Sequence, residues 1–298
     1  VSIADANIVS TPVAQTAPRR TNRRAVVLAI HSAAVFALLY GPIAVLVALS
    51  FNQSRLTARW TGFTLDWYRE LAHDPEIIQA AWYSLIVAVG ATLVSTTVGT
   101  MAALALAGRS DAPVAGSRRR WADRADTTGR AATAALLYLP IVIPEIVLAC
   151  ALLTFFSLTH WQLSLWTVGA AHVSFSVSYV AVVVRARLAG FDRSLEEAAM
   201  DLGAGPAGTF FRVKLPLIMP GIVAGALLVF TVSIDDYVVT SFVAGTDSTT
   251  LPLKIASMVK TGLTPELNAV STLLLALTIL LVLVSQRLQG PSGRGGKS

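Results

Sequence analysis

The chain has 298 residues, 54% of them hydrophobic and 13% charged, with a formal net charge of +6 and a mean hydropathy of +0.65. A soluble domain carries about 25% charged residues, so the composition excludes an ordinary soluble protein and implies a chain that crosses a membrane repeatedly. The lone cysteine, Cys150, excludes an intramolecular disulfide and sits in an apolar run, where it reads as packing.

Residues 1–18 are small, polar and aperiodic, and are expected to be disordered within an N-terminal tail, 1–24. Arg19, Arg20, Arg23 and Arg24 precede the first apolar run, residues 25–50. That run is about twice the length of a signal-peptide core and offers no small-residue cleavage site, so it reads as a retained span. Six spans are predicted in all, at 25–50, 78–107, 131–157, 163–184, 217–243 and 267–286. Each approaches or exceeds the roughly 20 residues that cross the hydrocarbon core. The fold class is therefore an all-α membrane protein. Residues 25–77 form the first span and an outer loop, 78–286 the core membrane domain with an inner loop at 185–216, and 287–298 a C-terminal tail. With both termini in the cytoplasm, all the Lys and Arg except Arg55, Arg59, Arg69, Lys254 and Lys260 lie on the inner side. This distribution explains the positive charge as topology rather than nucleic-acid binding, and no nucleic-acid partner is expected.

The first outer loop, 51–77, carries Trp60, Phe63, Trp67 and Tyr68, read as an interfacial aromatic belt. The inner loop 108–130 is rich in Arg and Asp and reads as solvated. The connection near His160 and Trp161 is short, so spans three and four are expected to be antiparallel neighbours.

Acidic side chains inside spans cost about 2.5–3.5 kcal/mol each at mid-membrane, so they are functional candidates by default. Glu145 follows Pro140 and Pro144 near the centre of span three. The prolines interrupt the helical ladder, and a broken helix at that depth is tolerated where it lines a cavity or is buried in protein. A structural carboxylate bonded to a neighbouring helix is the competing reading. Asp235 and Asp236 are adjacent in span five, about 100° apart on a helix, so both cannot point the same way. Tyr237 beside them, with Tyr138, Tyr179 and Phe230 elsewhere, has the chemistry to stack on a cation, although each alone reads as core or lipid-facing. His172 reads as a hydrogen-bonded structural residue. No metal-ligand spacing or nucleophile elbow stands out. The terminal run Gly293 to Ser298 fails as a phosphate loop, because position 291 is Pro where the pattern needs Gly.

The inner loop holds the most specific pattern, Glu196 to Pro216. Ser194 is positioned to cap a helix, with Glu196 and Glu197 as its N2 and N3 residues and Glu197 placed for a capping box. Leu195, Ala198, Ala199 and Leu202 share one small, approachable face. Asp201 lies in the last turn, Gly203 and Gly205 end the helix, and Pro206 prevents its continuation. A second short helix, 207–213, then enters the membrane at Leu215-Pro216. Glu197-Ala198-Ala199, three residues, Gly203, nine residues, then Val213, Leu215 and Pro216 resembles the coupling motif of ABC-importer permeases, with Val213 in place of Ile.

The resemblance extends over about 78–286. The stretches 233–239, 251–255 and 258–269, with Glu145 after the span-three proline, resemble the second permease subunit of spermidine/putrescine importers. This resemblance implies a type I importer permease in a prokaryotic inner membrane, translocating a polyamine and hydrolysing nothing itself. It implies a second, related permease chain and an ABC ATPase dimer that binds ATP and Mg. It also implies an extracytoplasmic solute-binding protein, with lipid around the spans and no cofactor in this chain. Glu196, Glu197, Ala198, Ala199, Asp201, Leu202, Gly203, Leu215 and Pro216 would couple to the ATPase, and Glu145, Asp235, Asp236 and Tyr237 would line the substrate pathway. Another solute, such as an iron complex or a thiamine-like cation, remains open, as does an ion-gradient-driven carrier, which would need no ATPase and would leave the Glu197 loop without purpose.

Overall fold

The computed structural model describes residues 23–54, 59–107, 132–262 and 264–289. The expectations for residues 1–18, for loop 108–130 and for the terminal glycine-rich run lie outside the described residues. Among the described residues regular structure is helical, apart from one antiparallel bridge between Asn52 and Phe63. Two units are distinguished, Val1–Leu46 and Val47–Ser298.

In the first unit α1 begins at Arg23 and runs to Leu49, just across the boundary. Its 27 residues extend about 40 Å, enough for a core of about 30 Å. Phe36 stacks on Tyr40 one turn later at 6.0 Å.

The second unit is built on three long helices, α3 (Pro75–Ala107), α6 (Leu165–Ala189) and α9 (Leu215–Ile234), each packed on the other two. Small residues permit the approach. α3 turns Ala80, Ser84, Ala88, Ala91, Ser95, Gly99 and Ala103 inward at helical spacing. A Cβ on Gly99 would meet the Val177 carbonyl oxygen at 2.8 Å and Val180 Cβ at 2.7 Å. On α9, Gly221 and Gly225 face Arg187 and Val180 of α6, a small-x-x-x-small contact of the kind lipid-embedded helices use where burial drives nothing.

Two predicted spans are broken. Span three consists of α4 (Ala132–Val142) and α5 (Glu145–Leu158), which meet at 107°. Pro144 lacks an N–H and disfavours helical geometry at Ile143. It becomes the cap of α5, its carbonyl accepting from Val147 and Leu148 at 2.9 and 3.2 Å. Span five, expected as a continuous helix over 217–243, stops at Ile234 and resumes as α10 (Val238–Val243). Among the described residues five helices are long and apolar enough to cross a membrane, six with the bent pair counted as one span.

α5, the second half of span three, shares few contacts with α6. α5 packs chiefly on α10, whose end occupies the start of α6. There Thr167 donates to the Val243 carbonyl at 2.7 Å, and a Cβ on Gly245 would overlap the Leu163 carbonyl. α5 ends in a Schellman turn, with His160 at φ 56, Trp161 N–H on the Phe156 carbonyl at 2.9 Å and the two rings stacked at 5.8 Å. Cys150 is exposed on α5 and does not pack the core.

The outer loop is also more ordered than a belt. Trp67 lies in α2 (Asp66–Leu71) and is buried with Leu71, Ile77, Ala269 and Val270. Its indole donates to the Asn52 carbonyl at 2.7 Å. Ser50 bonds the Tyr68 hydroxyl at 2.7 Å and Phe63 stacks on Phe51, while Trp60 stays exposed. The connection before the last span contains α11 (Leu251–Thr261), which packs on α3 and on α12 (Pro265–Gln289).

Candidate functional site

Two regions carry the predicted site residues. The first is the inner loop. α7 spans Ser194–Asp201, and its cap differs from the expectation. Ser194 is the first helical residue, and its N–H donates to the Asp192 carboxylate at 2.9 Å. Asp and Ser serve equally in this role, and the chain uses the one two residues earlier. The Ser194 backbone N–H, then its side chain, hold the Asp192 carboxyl below the ordinary range. Glu197 closes no capping box. It is exposed, as are Ala198, Asp201 and Gly203, and Ala199 is half-buried.

The stop is as expected and complete. Gly203 takes φ +88. Its N–H bonds Met200 at 2.9 Å, and Ala204 N–H bonds Ala199 at 3.0 Å, a full Schellman motif. Pro206 opens α8 (Pro206–Thr209), and a π-helical turn, Phe210–Lys214, runs directly into α9 at Leu215-Pro216. Glu196 turns inward and pairs with Lys214 at 2.9 Å, and Lys214 lies 5.9 Å above the Phe191 ring. Arg193 donates to the Ala107 carbonyl at the end of α3 at 3.3 Å. α7 is thus tied to the π-helical turn that leads into α9, and the residue before it to the end of α3. Leu195, Met200 and Leu202 stay exposed, the last at 89%.

The second region lies where the two broken spans meet. Asp235, Asp236 and Tyr237 are the non-helical residues between α9 and α10. The side chains of the adjacent acids are separated by this break and not by a helical angle. Asp236 is buried and Asp235 exposed. Asp236 accepts from the N–H groups of Val239 at 3.4 Å and Thr240 at 2.8 Å, capping α10, and from the Thr240 hydroxyl at 2.7 Å. His172 Nε2 lies 3.2 Å from the same carboxylate oxygen. Glu145, exposed at the start of α5, interacts with Asp236, Asp235 and His172. All three acids therefore fall in one cluster. Tyr237 is half-exposed and lines a pocket of about 470 Å³ with Tyr83, Glu76, Asp247 and Lys254, where Lys254 and Glu76 form an ion pair.

The other aromatics separate from the cluster. Tyr138 has Arg185 6.0 Å from its ring, and Tyr179 meets Phe175 edge-on at 6.4 Å. Phe230 is half-buried. Among the described residues no group of His, Cys, Asp and Glu could hold a metal ion. Sequence reading missed Thr240 and Ser233 as partners of the cluster. The i+4 spacing of Asp236 and Thr240 was a usable signal for the first.

Residues 114–293 match the family described as binding-protein-dependent transport system inner membrane component. The chain is 41% identical over 252 residues to the spermidine/putrescine transport system permease protein PotC of Haemophilus influenzae, covering 85% of this chain and 92% of that one. It is 42% identical over 246 residues to the putrescine transport system permease protein PotI of Escherichia coli strain K12, covering 80% and 82%. Among solved structures, a bacterial ABC transporter involved in the import of the acidic polysaccharide alginate superposes with a TM-score of 0.64 over 92% of this chain and 99% of its own. At 14% identity this likeness bears on the fold alone.

Proposed function

The chain belongs to the family of binding-protein-dependent transport system inner membrane components, and we propose that it carries a polyamine of the spermidine or putrescine kind across the membrane. It is a multi-pass inner-membrane permease of an ABC importer, and ATP hydrolysis belongs to a separate subunit of that importer. The observation that carries the substrate reading is the convergence of Glu145, Asp235 and Asp236 at the meeting of two broken helices. An amine entering a low-dielectric path loses hydration, and fixed carboxylates replace it. Glu145 and Asp235 are the exposed members of the cluster. Tyr237 has the face on which a methylene chain or an ammonium would rest.

The remaining parts of the machine follow from that reading. A related second permease chain completes the path, and a solute-binding protein delivers the amine at the outer side. Two ATPase subunits, with ATP and Mg, receive the exposed face of α7 from below. Glu197 meets the ATPase, while Glu196 braces α7 from within through Lys214. Both tails and the loop 185–216 lie in the cytoplasm, as the distribution of Lys and Arg indicates.

The test is to co-purify the complex and measure ATPase activity in lipid with the binding protein and spermidine, putrescine or an iron complex. Stimulation by a polyamine, lost in Glu197→Ala and reduced at least about tenfold in Glu145→Gln/Asp235→Asn, is the expected result, since each removed charge contact is worth more than a decade at an effective dielectric of about 20. Stimulation by the iron complex alone would discard the polyamine. Uptake driven by an ion gradient without an ATPase would discard the importer reading of the Glu197 loop.

A further inference from the structure

His172 stands in the middle of α6 with its side chain only 1% exposed, and every polar atom of its ring has a partner. Nδ1 lies 2.6 Å from Ser233 Oγ on α9. Nε2 lies 3.0 Å from Thr240 Oγ1 on α10 and 3.2 Å from Asp236 Oδ2 in the break. The partners fix the proton on Nε2. Thr240 has one hydroxyl proton, and it points to Asp236 at 2.7 Å, so toward the ring Thr240 only accepts. Ser233 suits either state of Nδ1, because a hydroxyl donates to a bare nitrogen or accepts from an N–H.

The carboxylate decides between them. The Asp236 side chain is 2% exposed in an apolar span, where an ionised carboxylate is costly unless an opposite charge pairs with it. The groups that face this pair are Glu145 from α5 and Asp235 from the break, both acidic, the hydroxyls of Ser233 and Thr240, and the Val239 and Thr240 N–H groups that cap Asp236 without carrying a full charge. Among the side chains gathered here, only the imidazole of His172 can become cationic. Doubly protonated, it donates to Ser233 from Nδ1 and faces Asp236 from Nε2.

We infer that His172 withholds Asp236 from the cation path, so that this chain presents two carboxylates, Glu145 and Asp235, instead of three. The inference rests on the polyamine reading for its ligand. His172 is then a positioning and charge-setting residue. It never touches the amine, and it fixes how many negative charges the amine meets. Two fixed charges favour a cation with two ammonium groups relative to what three would favour, so removing the imidazole should shift preference toward the more highly charged amine.

The experiment uses the assembled complex in lipid vesicles with its binding protein, and measures uptake efficiency for putrescine, a diamine, and spermidine, a triamine. His172→Gln is neutral at every pH. It is expected to raise the spermidine-to-putrescine ratio by about tenfold or more, because one unmasked charge at an effective dielectric of about 20 discriminates by over a decade. His172→Gln/Asp236→Asn is expected to return the ratio to within about threefold of wild type, the span of ordinary context effects on one contact. A purely structural histidine would lower both uptakes together and would not be rescued by removing the acid. An unchanged ratio in assembled His172→Gln, or no return in the double variant, overturns the inference. The ¹⁵N spectrum of the His172 imidazole, identified by its loss in His172→Gln, gives a readout independent of transport. Both nitrogens protonated near neutral pH support the inference, and a neutral ring overturns it. If neither amine stimulates the wild-type complex, the polyamine reading fails and this spectrum alone decides. It decides equally if the variants do not assemble, the His172 signal then being the one that remains when His31, His73 and His160 are replaced by Gln.

Discussion

Gly99→Ala tests the α3–α6 interface, on which the positions of both functional regions depend. An added Cβ would sit 2.8 Å from the Val177 carbonyl oxygen and 2.7 Å from Val180 Cβ. Ordinary contacts of these kinds begin about 0.6–0.9 Å further out. Val180 is fully buried, and the other atom is backbone, so neither yields by a rotamer change and the helices must separate. Overpacking of this sort costs about 1–3 kcal/mol, and replacing Gly by Ala in a helix returns about 1 kcal/mol. The net loss is about 1 kcal/mol, which lowers the melting temperature by about 2–4 °C. Gly90 lies on the same helix with nothing within 4 Å of its added Cβ, so Gly90→Ala keeps the propensity gain and should raise the melting temperature by a similar amount. Thermal unfolding of the detergent-purified chain, followed by intrinsic fluorescence at one scan rate, reads both signs. If both variants are stabilised, the close approach at Gly99 is wrong.

Glu196 and Lys214 are each about four-fifths buried at their 2.9 Å contact; pairs of this exposure retain about 1 kcal/mol after desolvation. Reversing either charge should reduce binding-protein-stimulated ATPase several-fold while basal hydrolysis persists, and the exchange Glu196→Lys/Lys214→Glu should recover most of it; failure of the exchange would leave the brace without a role. At Asp192 the hydrogen bonds from Ser194 lower the carboxyl pKa from its ordinary 3.8, so its support of α7 is complete above that value and fades as pH falls through the depressed one. Amide exchange across Ser194 to Glu197, corrected for intrinsic rates, should accelerate in Asp192→Ala near neutral pH and in the wild type only under acid conditions. His160 holds φ 56, which costs about 1–2 kcal/mol for a β-branched side chain. His160→Val should therefore lower the melting temperature, while His160→Gly should change stability by less than about 0.5 kcal/mol as strain relief and unfolded-state entropy offset one another.

What was legible in the sequence was what short-range chemistry determines. Pro144 breaks span three wherever the rest of the chain goes, since the missing N–H and the restriction on Ile143 are local. The Gly203 stop and the turn into Leu215-Pro216 are equally local, and they fell where the spacing placed them. The cap of α7 moved from Ser194 to Asp192 because both residues satisfy the same local rule. The break in span five was not legible. The apolar run passes through it without a Gly or Pro between residues 226 and 244. The helix stops because the Asp236 carboxylate takes the Val239 and Thr240 N–H groups and is itself held by His172, 64 positions away in the chain. Trp67 was misplaced for the same reason. Its burial depends on Ala269 and Val270 of the last helix, and its indole partner is a backbone carbonyl that hydropathy does not register.

The span-five break performs two tasks that a continuous helix could not combine. On an unbroken helix Asp235 and Asp236 would stand about 100° apart, each needing its own partner in the membrane. In the break, freed N–H groups of α10 supply partners for Asp236, and the turn of the backbone leaves Asp235 exposed next to Glu145. The orientation of the exposed acid is therefore set by backbone and by buried hydrogen bonds, which hold geometry better than a free side-chain rotamer. The same arrangement reaches the inner loop through α6. That helix is unbroken from Leu165 to Ala189, carries His172 against the break and leads into α7. Between His172 and Ala189 it rises about 25 Å with no hinge. A displacement of the inner end of α6 would arrive at His172 as a movement of one rigid body. There it would meet Ser233 and Thr240 on opposite sides of the break, where a shift of about 1 Å is enough to break one hydrogen bond and keep the other.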